Sequence, residues 1–416
     1  MLDLLRRNSA FRRVFLAQVV SYGGDWFANV ALIGLLLHLT HSDLAATGVF
    51  VAATLPQFVA APLAGPAADR FNRRTLMMVM STLQAGAALT WLLIGHGTVW
   101  LAFVAQAGVA FLSAFFGPAS QAAVPNLVDP EDLPTATAMM SATWGAMLAV
   151  GASLGGAFTV AFGRDAAFVA DALTFVVAAV LIGSVRRPFS AAERGAVPGE
   201  ARPRLRPIAD TVEAIRYARQ HPIVLALLAS KMGFGLASGV VGLLAVVGTR
   251  TFHSGDAGIG VLLGVRGIGV VLGPWVAWRV IGRGIERILL ACGIAALIYA
   301  VAYALVPVAP SLAVAGILVL VAHLGGGAQW TLSTYGLQVE TPDELRGRIF
   351  AADFALVTFT LGVSFFLAGW LSNAVGPTPV ILGLAAVSAG WGAVYLSLTR
   401  RIRQPAPPVW SPAEAD

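Results

Sequence analysis

The chain has 416 residues, of which 57% are hydrophobic and only 12% are charged. Soluble domains usually carry about 25% charged residues, so this composition, with its long apolar runs, excludes an ordinary soluble domain. The net charge of +6 is compatible with nucleic-acid binding, but the placement of the basic residues along the chain argues against it.

Twelve apolar runs approach or exceed the roughly 20 residues that a helix needs to cross a ~30 Å hydrocarbon layer. Helices are expected because lipid offers no partners for backbone N–H and C=O groups. The fold class is therefore all-α, with twelve transmembrane helices. The predicted spans are residues 14–39, 45–67, 75–95, 98–122, 135–161, 166–185, 222–249, 257–280, 287–307, 310–337, 348–373 and 378–399.

Most of the 27 basic residues fall in alternate loops, which begin with the segment before the first span. The opposite loops hold only Arg164 and Arg250, and Lys231 and Arg266 fall inside spans. This is the positive-inside pattern, which predicts a multi-pass protein of the cell inner membrane with both termini in the cytoplasm. The first span is long and lacks a clear cleavage pattern, so it is expected to be retained.

A shift of the sequence by 212 residues brings related features into register, although chance similarity in an Ala/Gly/Leu-rich sequence is the alternative. The repeat predicts two parallel-related six-helix bundles around a central cavity, in residues 1–185 and 222–400. A cytoplasmic linker would occupy 186–221 and a cytoplasmic tail 401–416. The matching segments are His41–Ser42 with His253–Ser254, Gly48–Val49 with Gly260–Val261, and residues 129–133 with 341–345.

The linker is rich in Arg, Pro and Ala, which suit a solvated segment. Within it, Ile208, Val212 and Ile215 recur at helical spacing, which indicates a short amphipathic helix on the membrane surface. For the first half of the linker, a charged tether is an equally good interpretation.

The loop between the second and third spans reads Gly-Pro-Ala-Ala-Asp-Arg-Phe-Asn-Arg-Arg, residues 65–74. Gly65 permits close helix packing, and Asp69 is placed to meet the positive ends of helix dipoles. Asn72 is expected to adopt the positive φ that a tight turn requires. Three basic residues can pair with acids or lipid phosphates: Arg70, Arg73 and Arg74.

This loop resembles the Gly-x-Leu-Ala-Asp-Arg-x-Gly-Arg-Arg signature of the major facilitator superfamily, with Ala67 and Asn72 in place of Leu and Gly. The resemblance implies a cytoplasmic latch, anchored by Asp69, that helps to hold one access state. A loop that only sets topology is the alternative. The loop after the eighth span, residues 279–287, looks like a degraded copy and supports the repeat.

In the fifth span, Gly151, Gly155 and Gly156 resemble the Gly-Pro-x-x-Gly-Gly motif of superfamily exporters, with Ala152 in place of Pro. Ordinary close packing of helices is the alternative. Further short motifs, in order along nearly the whole chain, are similar to the drug-export branch, and most of all to its macrolide-exporter and enterobactin-exporter group. These motifs are Gly24-Asp25, Asp171–Phe175, Arg266–Gly269 and Arg346-Gly-Arg348.

An ionised side chain at the bilayer centre costs about 2.5–3.5 kcal/mol or more, so charged residues within spans are candidates for function. Asp25 lies about eleven residues into the first span, roughly 16 Å deep at 1.5 Å per residue. We expect Asp25 to be the proton-coupling carboxylate, with Lys231 as its partner on the equivalent span of the other half. A fixed structural ion pair and direct substrate contact are the alternatives.

Four other ionisable residues lie within spans. His323 can titrate near neutral pH, although a hydrogen-bonded packing role is the more common one for a lone histidine. Arg266, flanked by glycines, is expected at a helix interface rather than on substrate. Asp171 and Asp353 lie near span ends, where both are expected to be solvated and to serve gating or structure.

The superfamily fold implies that spans 1, 4, 7 and 10 line the cavity. The aromatic and amide groups of these spans suit an amphiphilic substrate, although packing or lipid contact is the default for such residues. The candidate cavity residues are Trp26, Asn29, Gln106, Arg266, Gln329 and Trp330.

The sequence contains no phosphate-binding loop, zinc-protease motif or Gly-x-Ser-x-Gly, so an enzyme is not expected. The single cysteine, Cys292, excludes an intramolecular disulfide and a cysteine-cluster metal site, and no cofactor is expected. The favoured function is proton-coupled efflux of amphiphilic drugs, antibiotics or siderophore-like molecules by a monomer in contact with lipid. The alternatives are an importer, a lipid flippase or a transporter-like sensor.

Overall fold

The computed structural model of the protein describes residues 2–189, 207–280 and 284–403. Within these ranges, twelve helices are long and apolar enough to span a membrane, which confirms the predicted number of spans. The seventh span runs from Pro222 to Thr251 and ends in the π-helical turn Val247–Thr251. The helices are α1 (Leu2–Arg7), α2 (Ser9–Thr40), α3 (Asp43–Arg70), α4 (Arg73–Leu89), α5 (Trp100–Leu127), α6 (Leu133–Phe162), α7 (Arg164–Gly183), α8 (Pro207–Gln220), α9 (Pro222–Ala237), α10 (Gly239–Val246), α11 (Gly255–Val280), α12 (Ile285–Leu305), α13 (Leu312–Glu340), α14 (Asp343–Val375) and α15 (Pro377–Leu398).

Side-chain caps begin several of these helices. The Ser42 hydroxyl accepts a hydrogen bond from the N–H of Ala45 at the start of α3, and the Asn72 side chain accepts one from Thr75 at the start of α4. The expected positive φ at Asn72 is wrong, because its φ is −60°. Asn72 acts as an N-cap residue, for which Asn is among the preferred side chains, and not as a left-handed turn residue.

The spans form two six-helix bundles, as predicted. In the amino-terminal bundle, α2 packs against α6 and α7, and α5 packs against α3 and α4. In the carboxy-terminal bundle, α13 packs against α11 and α12, while α12 also contacts α15 and α9 contacts α14. The largest cluster of buried apolar side chains continues from one bundle into the other, and each bundle also has a smaller cluster of its own.

Two helix pairs make the most extensive contacts between the bundles, namely α6 with α11 and α3 with α14. In the first seam, Gly156 and Gly260 lie so close that a methyl group on Gly260 would stand 2.9 Å from the Gly156 Cα. In the second, the rings of Phe50 and Phe365 stack with centroids 5.1 Å apart. Small residues at these crossings let the backbones approach closely.

The helix predicted within the linker is present as α8 and packs against α14. The Tyr217 hydroxyl donates a hydrogen bond to the carbonyl of Glu340 at 3.4 Å, and Arg348 forms an ion pair of 2.7 Å with Glu213. The tether predicted for the first half of the linker lies largely outside the described residues, as does most of the tail. Helix α8 is therefore attached to the carboxy-terminal bundle.

Candidate functional site

Two carboxylates lie next to each other in the amino-terminal bundle. Asp25 stands near the middle of α2, and Asp171 reaches it from α7, close enough for their charges to interact. The glycine at position 24 makes this possible, because a methyl group there would lie 2.3 Å from the Asp171 Oδ1 atom. The hydroxyl of Thr174 donates to the Asp171 carbonyl at 2.7 Å and lies 3.2 Å from its carboxylate.

Asp25 is partly exposed, and no described residue forms a hydrogen bond or an ion pair with it. Its electrostatic neighbours are Tyr22 and Asp171. The expected pairing with Lys231 is wrong in this structure, because Lys231 binds a carboxylate of its own bundle. Within the described part of the chain, Asp25 is therefore a carboxylate that lies beside a second acid and is not paired with a cation.

Depth counted along a helix was a poor guide to burial for two acidic residues. Asp171 and Asp353 were expected to be solvated, but Asp171 is 0% exposed and Asp353 only 6%. Both lie on helix faces that pack inside a bundle, where neighbouring helices exclude water regardless of the distance to the helix end. The Asp171 Oδ2 atom is buried without a hydrogen-bond partner in the described structure.

Lys231 occupies a closed cluster in the carboxy-terminal bundle. Its ammonium group forms a very short contact with the Asp353 carboxylate and donates to the Thr334 hydroxyl at 2.9 Å. It also lies 4.9 Å from the centroid of the Trp330 ring. Beside it, the Gln329 side chain donates to the carbonyl of Ser230 at 2.6 Å. This arrangement is that of a structural ion pair whose charges are both satisfied.

His323 is fully buried and shares a hydrogen bond of 2.8 Å with the Tyr303 hydroxyl. Its ring also packs edge-on against Tyr299, with centroids 5.5 Å apart. A methyl group on Gly269 of α11 would come within 2.9 Å of the His323 Cβ. These contacts match the packing role that was weighed for this residue.

Arg266 reaches from the carboxy-terminal bundle toward the amino-terminal one. Its guanidinium carbon lies 5.8 Å from the centroid of the Trp26 ring on α2. Trp26 in turn meets Trp144 of α6 edge to face, with centroids 5.8 Å apart and an interplanar angle of 75°. The structure thus brings together a cation and two indoles that no sequence spacing connects.

Two predicted cavity residues have few contacts. Gln106 is buried, and its Oε1 atom has no hydrogen-bond partner in the described structure. Asn29 is partly exposed, and no described residue forms a hydrogen bond with it. Neither is brought against Asp25 or Arg266 by any contact that the structure describes.

An ion pair that the sequence did not predict joins the bundles at the arginine-poor end, where α2 ends and α3 begins. Arg250 lies 2.6 Å from Asp43, whose carboxylate also accepts a hydrogen bond of 2.5 Å from Ser372. The backbone N–H of Asp43 donates to the Asn373 side chain at 2.7 Å. The signal that could have found this pair is the isolated arginine in an arginine-poor loop.

The other isolated arginine makes the second ion pair between the bundles. Arg164, at the start of α7, binds Asp256, at the start of α11, through two contacts of 3.0 and 3.2 Å. Gly34 of α2 faces the same carboxylate, since a methyl group there would lie 1.8 Å from it. Both loop arginines therefore hold the two bundles together at one end.

Of the proposed latch, the surroundings of Gly65 and the side chains of Asp69 and Arg70 are outside what the structure describes. Arg73 donates to the carbonyls of Ala122 and Phe189 at 2.7 and 3.2 Å and to that of Ala68 at 3.1 Å. Arg74 lies 5.6 Å from the centroid of the Phe189 ring and 3.4 Å from the carbonyl of Arg187. The two described arginines thus bind the carboxyl ends of α3 and α5 and the segment after α7.

The three glycines of α6 serve two different interfaces. Methyl groups on Gly151 and Gly155 would lie 2.6 Å from the backbone of α2, at the carbonyls of Gly23 and Phe27. A methyl group on Gly156 would lie 2.9 Å from the backbone of α11 in the other bundle. Helix α6 therefore packs closely against α2 in its own bundle and against α11 in the other bundle.

Twelve spanning helices in two joined bundles, with polar groups at mid-depth between them, define a polytopic membrane transporter. The chain belongs to the Major Facilitator Superfamily, whose family model matches residues 14–359. The family and its structural neighbours are membrane transporters and not enzymes.

Two curated relatives and two solved structures illustrate the similarity. The chain is 25% identical over 180 residues to the uncharacterized MFS-type transporter YfiS of Bacillus subtilis, covering 43% of each chain. It is 29% identical over 204 residues to the class C tetracycline resistance protein of Escherichia coli, covering 47% of this chain and 48% of that one. The matches thus span about half the length of these relatives.

Among solved structures, an inward-facing bacterial homolog of the human lysosomal transporter Spinster matches with a TM-score of 0.70 and 16% identity, covering 97% of this chain and 99% of that one. A POT family transporter in complex with a thioalcohol-conjugated peptide matches with a TM-score of 0.76 and 10% identity, covering 95% and 96%. These likenesses concern the fold.

Proposed function

We propose that this chain is a secondary active transporter that exports amphiphilic small molecules in exchange for protons by alternating access. The observation that carries the proposal is the Asp25 carboxylate, which has Asp171 beside it and no cation among the described residues. Two like charges in a low-dielectric interior repel each other, so such a pair favours holding one proton. A site that binds and releases that proton can couple a gradient to transport.

The seams between the bundles support alternating access. The two inter-bundle ion pairs, Asp43 with Arg250 and Arg164 with Asp256, lie at the arginine-poor end. The positive-inside pattern assigns this end to the outside of the cell. The described seam contacts therefore close the outer end, and we assign this structure to an inward-facing state.

Export, and the drug-export branch, are supported by two observations. One is the similarity to a tetracycline resistance protein. The other is the glycine cluster of α6, in which Gly156 lies at a seam that must move if the bundles rock. We further propose a monomer in the cell inner membrane, with both termini cytoplasmic, lipid around it and no nucleic-acid partner. Its bundles would be residues 1–185 and 222–400, joined by the linker 186–221 and followed by a cytoplasmic tail, 401–416.

The test uses inverted membrane vesicles under an imposed pH gradient, with a substrate first found by a growth-inhibition panel in a pump-deficient host. We expect wild-type vesicles to accumulate the substrate when their interior is acidic, and Asp25→Asn to abolish this accumulation without loss of expression. Asp165→Asn, at an exposed position in the first turn of α7, is the matched control and should behave as wild type. Retained proton-driven transport in Asp25→Asn would refute the coupling role, and accumulation only in right-side-out vesicles would identify an importer.

A further inference from the structure

Arg266 lies on the side of α11 that faces the inside of the protein. The opposite side of this helix carries Val261, Ile268 and Leu272, which are 41%, 42% and 44% exposed. Arg266 points away from them, and its guanidinium group reaches the Trp26 ring of the other bundle. It is therefore placed between the bundles, close to the middle of a 26-residue helix.

Among the described residues, the guanidinium group of Arg266 has no anionic partner. Its Nε and Nη1 atoms are buried without a hydrogen-bond acceptor, while the residue as a whole stays partly exposed. No carboxylate in the described structure forms an ion pair with it, and its electrostatic neighbours are Tyr299, Tyr303 and His323. Arginine remains charged in proteins, so this cation is buried at a cost that a bound anion would offset.

Other cations inside the protein differ from Arg266 in this respect. Lys231 is neutralised by Asp353, and Arg164 binds Asp256 through two contacts. In each of these pairs the carboxylate neutralises the charge of the cation. Arg266 lacks the corresponding carboxylate, although it too lies at a contact between helices.

The surroundings of Arg266 suit a flat apolar ligand. Trp26 and Trp144 present two indole rings at 75° to each other, one of them in contact with the guanidinium group. Aromatic surfaces bind planar hydrocarbon groups, and a guanidinium fork binds a carboxylate through two parallel hydrogen bonds. Sites of this kind combine an apolar lining with a few polar groups that set specificity.

We infer that Arg266 is the anion-binding group of the substrate site and that the substrates are amphiphilic organic anions, with a planar apolar body and a carboxylate or a similar acidic group. The inference rests on the proposed function, because it names the substrate class of the same cavity. It gives a specific role to a residue that the sequence favoured at a helix interface and also listed among the candidate cavity residues. The apolar body lies against Trp26 and Trp144, while the acidic group accepts hydrogen bonds from the Nε and Nη1 atoms of Arg266, which have no acceptor in the described structure.

The experiment measures binding of three probes that share one ring system and differ in charge: naphthylacetate, naphthylethanol and naphthylethylammonium. Equilibrium dialysis of the purified full-length protein in detergent, against empty micelles, gives the affinities. We expect the wild type to bind naphthylacetate at least about tenfold more tightly than the neutral and cationic probes, as a charge-assisted pair would give. Arg266→Gln should remove that preference and leave the affinity for naphthylethanol unchanged.

Arg279→Gln is the matched control, because Arg279 lies on the same helix as Arg266 and also contacts a tryptophan. Its guanidinium carbon lies 3.7 Å from the Trp275 ring centroid, near the arginine-rich end of α11. This variant should keep the preference for the anion. Arg266→Lys, which keeps the charge and loses the planar fork, should retain part of it. A preference that is equal in the wild type and in Arg266→Gln, or absent from the wild type, would overturn the inference.

A second measurement covers the case in which Arg266→Gln does not fold. Thermal unfolding of the wild type should shift upward more with naphthylacetate than with the other two probes, and equal shifts would overturn the inference. The outcome is separate from that of the proposed function. If the anion preference is present but no substrate is driven by a pH gradient, the transport proposal fails while the anion site stands. If a pH gradient drives the transport of cationic substrates and the protein shows no preference for the anionic probe, the anion site fails while the transport proposal stands.

Discussion

His41 and His253 share one unusual backbone conformation, with φ of 50° at each, although they belong to different bundles. Positive φ is uncommon for residues other than glycine, so the coincidence is informative. Each histidine lies in the turn that follows the first span of its bundle. The two positions are those that the repeat in the sequence aligns, and their matching turns support that repeat.

An aspartate follows each of these turns and binds an arginine of the opposite bundle. Asp43 begins α3 and contacts Arg250, and Asp256 lies in the first turn of α11 and contacts Arg164. The repeat places Asp43 on Gly255, so the two acidic groups lie one residue apart in the aligned bundles. Together the two ion pairs, here called the outer clasp, hold one end of the transporter closed.

Arg250→Gln should weaken the outer clasp and favour opening at this end. Asp43 is only 1% exposed in its side chain, so it would lose its cation while still covered, although Arg250 itself is 43% exposed and its contribution is reduced by solvent. We expect a shift of roughly tenfold, or about 1.4 kcal/mol, toward the outward-open state. The measurement is labelling of Thr47→Cys, a buried position of the α3–α14 seam, by a membrane-impermeant maleimide in a Cys292→Ser background.

Arg7→Gln is the control for the outer clasp, because Arg7 forms an ion pair of 2.5 Å with Asp132 inside a single bundle. Its removal should leave labelling at position 47 unchanged. If Arg250→Gln also leaves labelling unchanged, the outer clasp does not set the balance between the access states.

Lys231→Met should destabilise the protein more than the double variant Lys231→Met/Asp353→Leu. The single change leaves the Asp353 carboxylate, which is 8% exposed, without its cation, and removal of one partner of a buried pair typically costs about 3–5 kcal/mol. The double variant removes both charges and should recover most of the loss. Thermal unfolding in detergent tests this, and equal destabilisation of the two variants would contradict a structural ion pair.

Gly24→Ala should impair proton-driven transport without unfolding the protein. The added methyl group would lie 2.2 Å from the Thr174 hydroxyl and 2.3 Å from the Asp171 carboxylate, so these side chains must shift and the arrangement of Asp171 beside Asp25 is disturbed. Alanine is favourable in a helix, which keeps the fold intact. We expect at least a tenfold loss of transport in vesicles. Gly86→Ala is the control and should match the wild type, because nothing lies within 4 Å of the new methyl group. Wild-type transport by Gly24→Ala would show instead that the two acids act independently.

Gly151→Ala and Gly156→Ala should have different effects although both residues lie on α6. The first presses on the Gly23 carbonyl of the same bundle and should lower the free energy of unfolding by about 1–3 kcal/mol, the usual cost of overpacking. The second presses on α11 across the seam and should instead raise cysteine labelling at position 47. Parallel unfolding and labelling measurements on both variants decide this, and identical profiles would show that the seam is not separable from the bundle.

Much of the architecture follows from the sequence alone. The length of the apolar runs and the alternation of arginine between loops predict the number of spans and the two bundles, because lipid requires a closed hydrogen-bonded backbone over a fixed distance. The functional importance of Asp25 also remains a prediction of this kind, since it depends on a carboxylate at mid-depth.

Only the tertiary structure decided how the charged residues pair. Lys231 forms an ion pair with Asp353 and not with Asp25, and Asp43 forms one with Arg250. In each pair the two residues are far apart along the chain. Asp171 is buried although it lies near a helix end. The physical reason is that hydropathy reports how deep a residue lies in the membrane, whereas burial and pairing depend on which helix faces meet, and that is set by close packing among helices far apart in sequence.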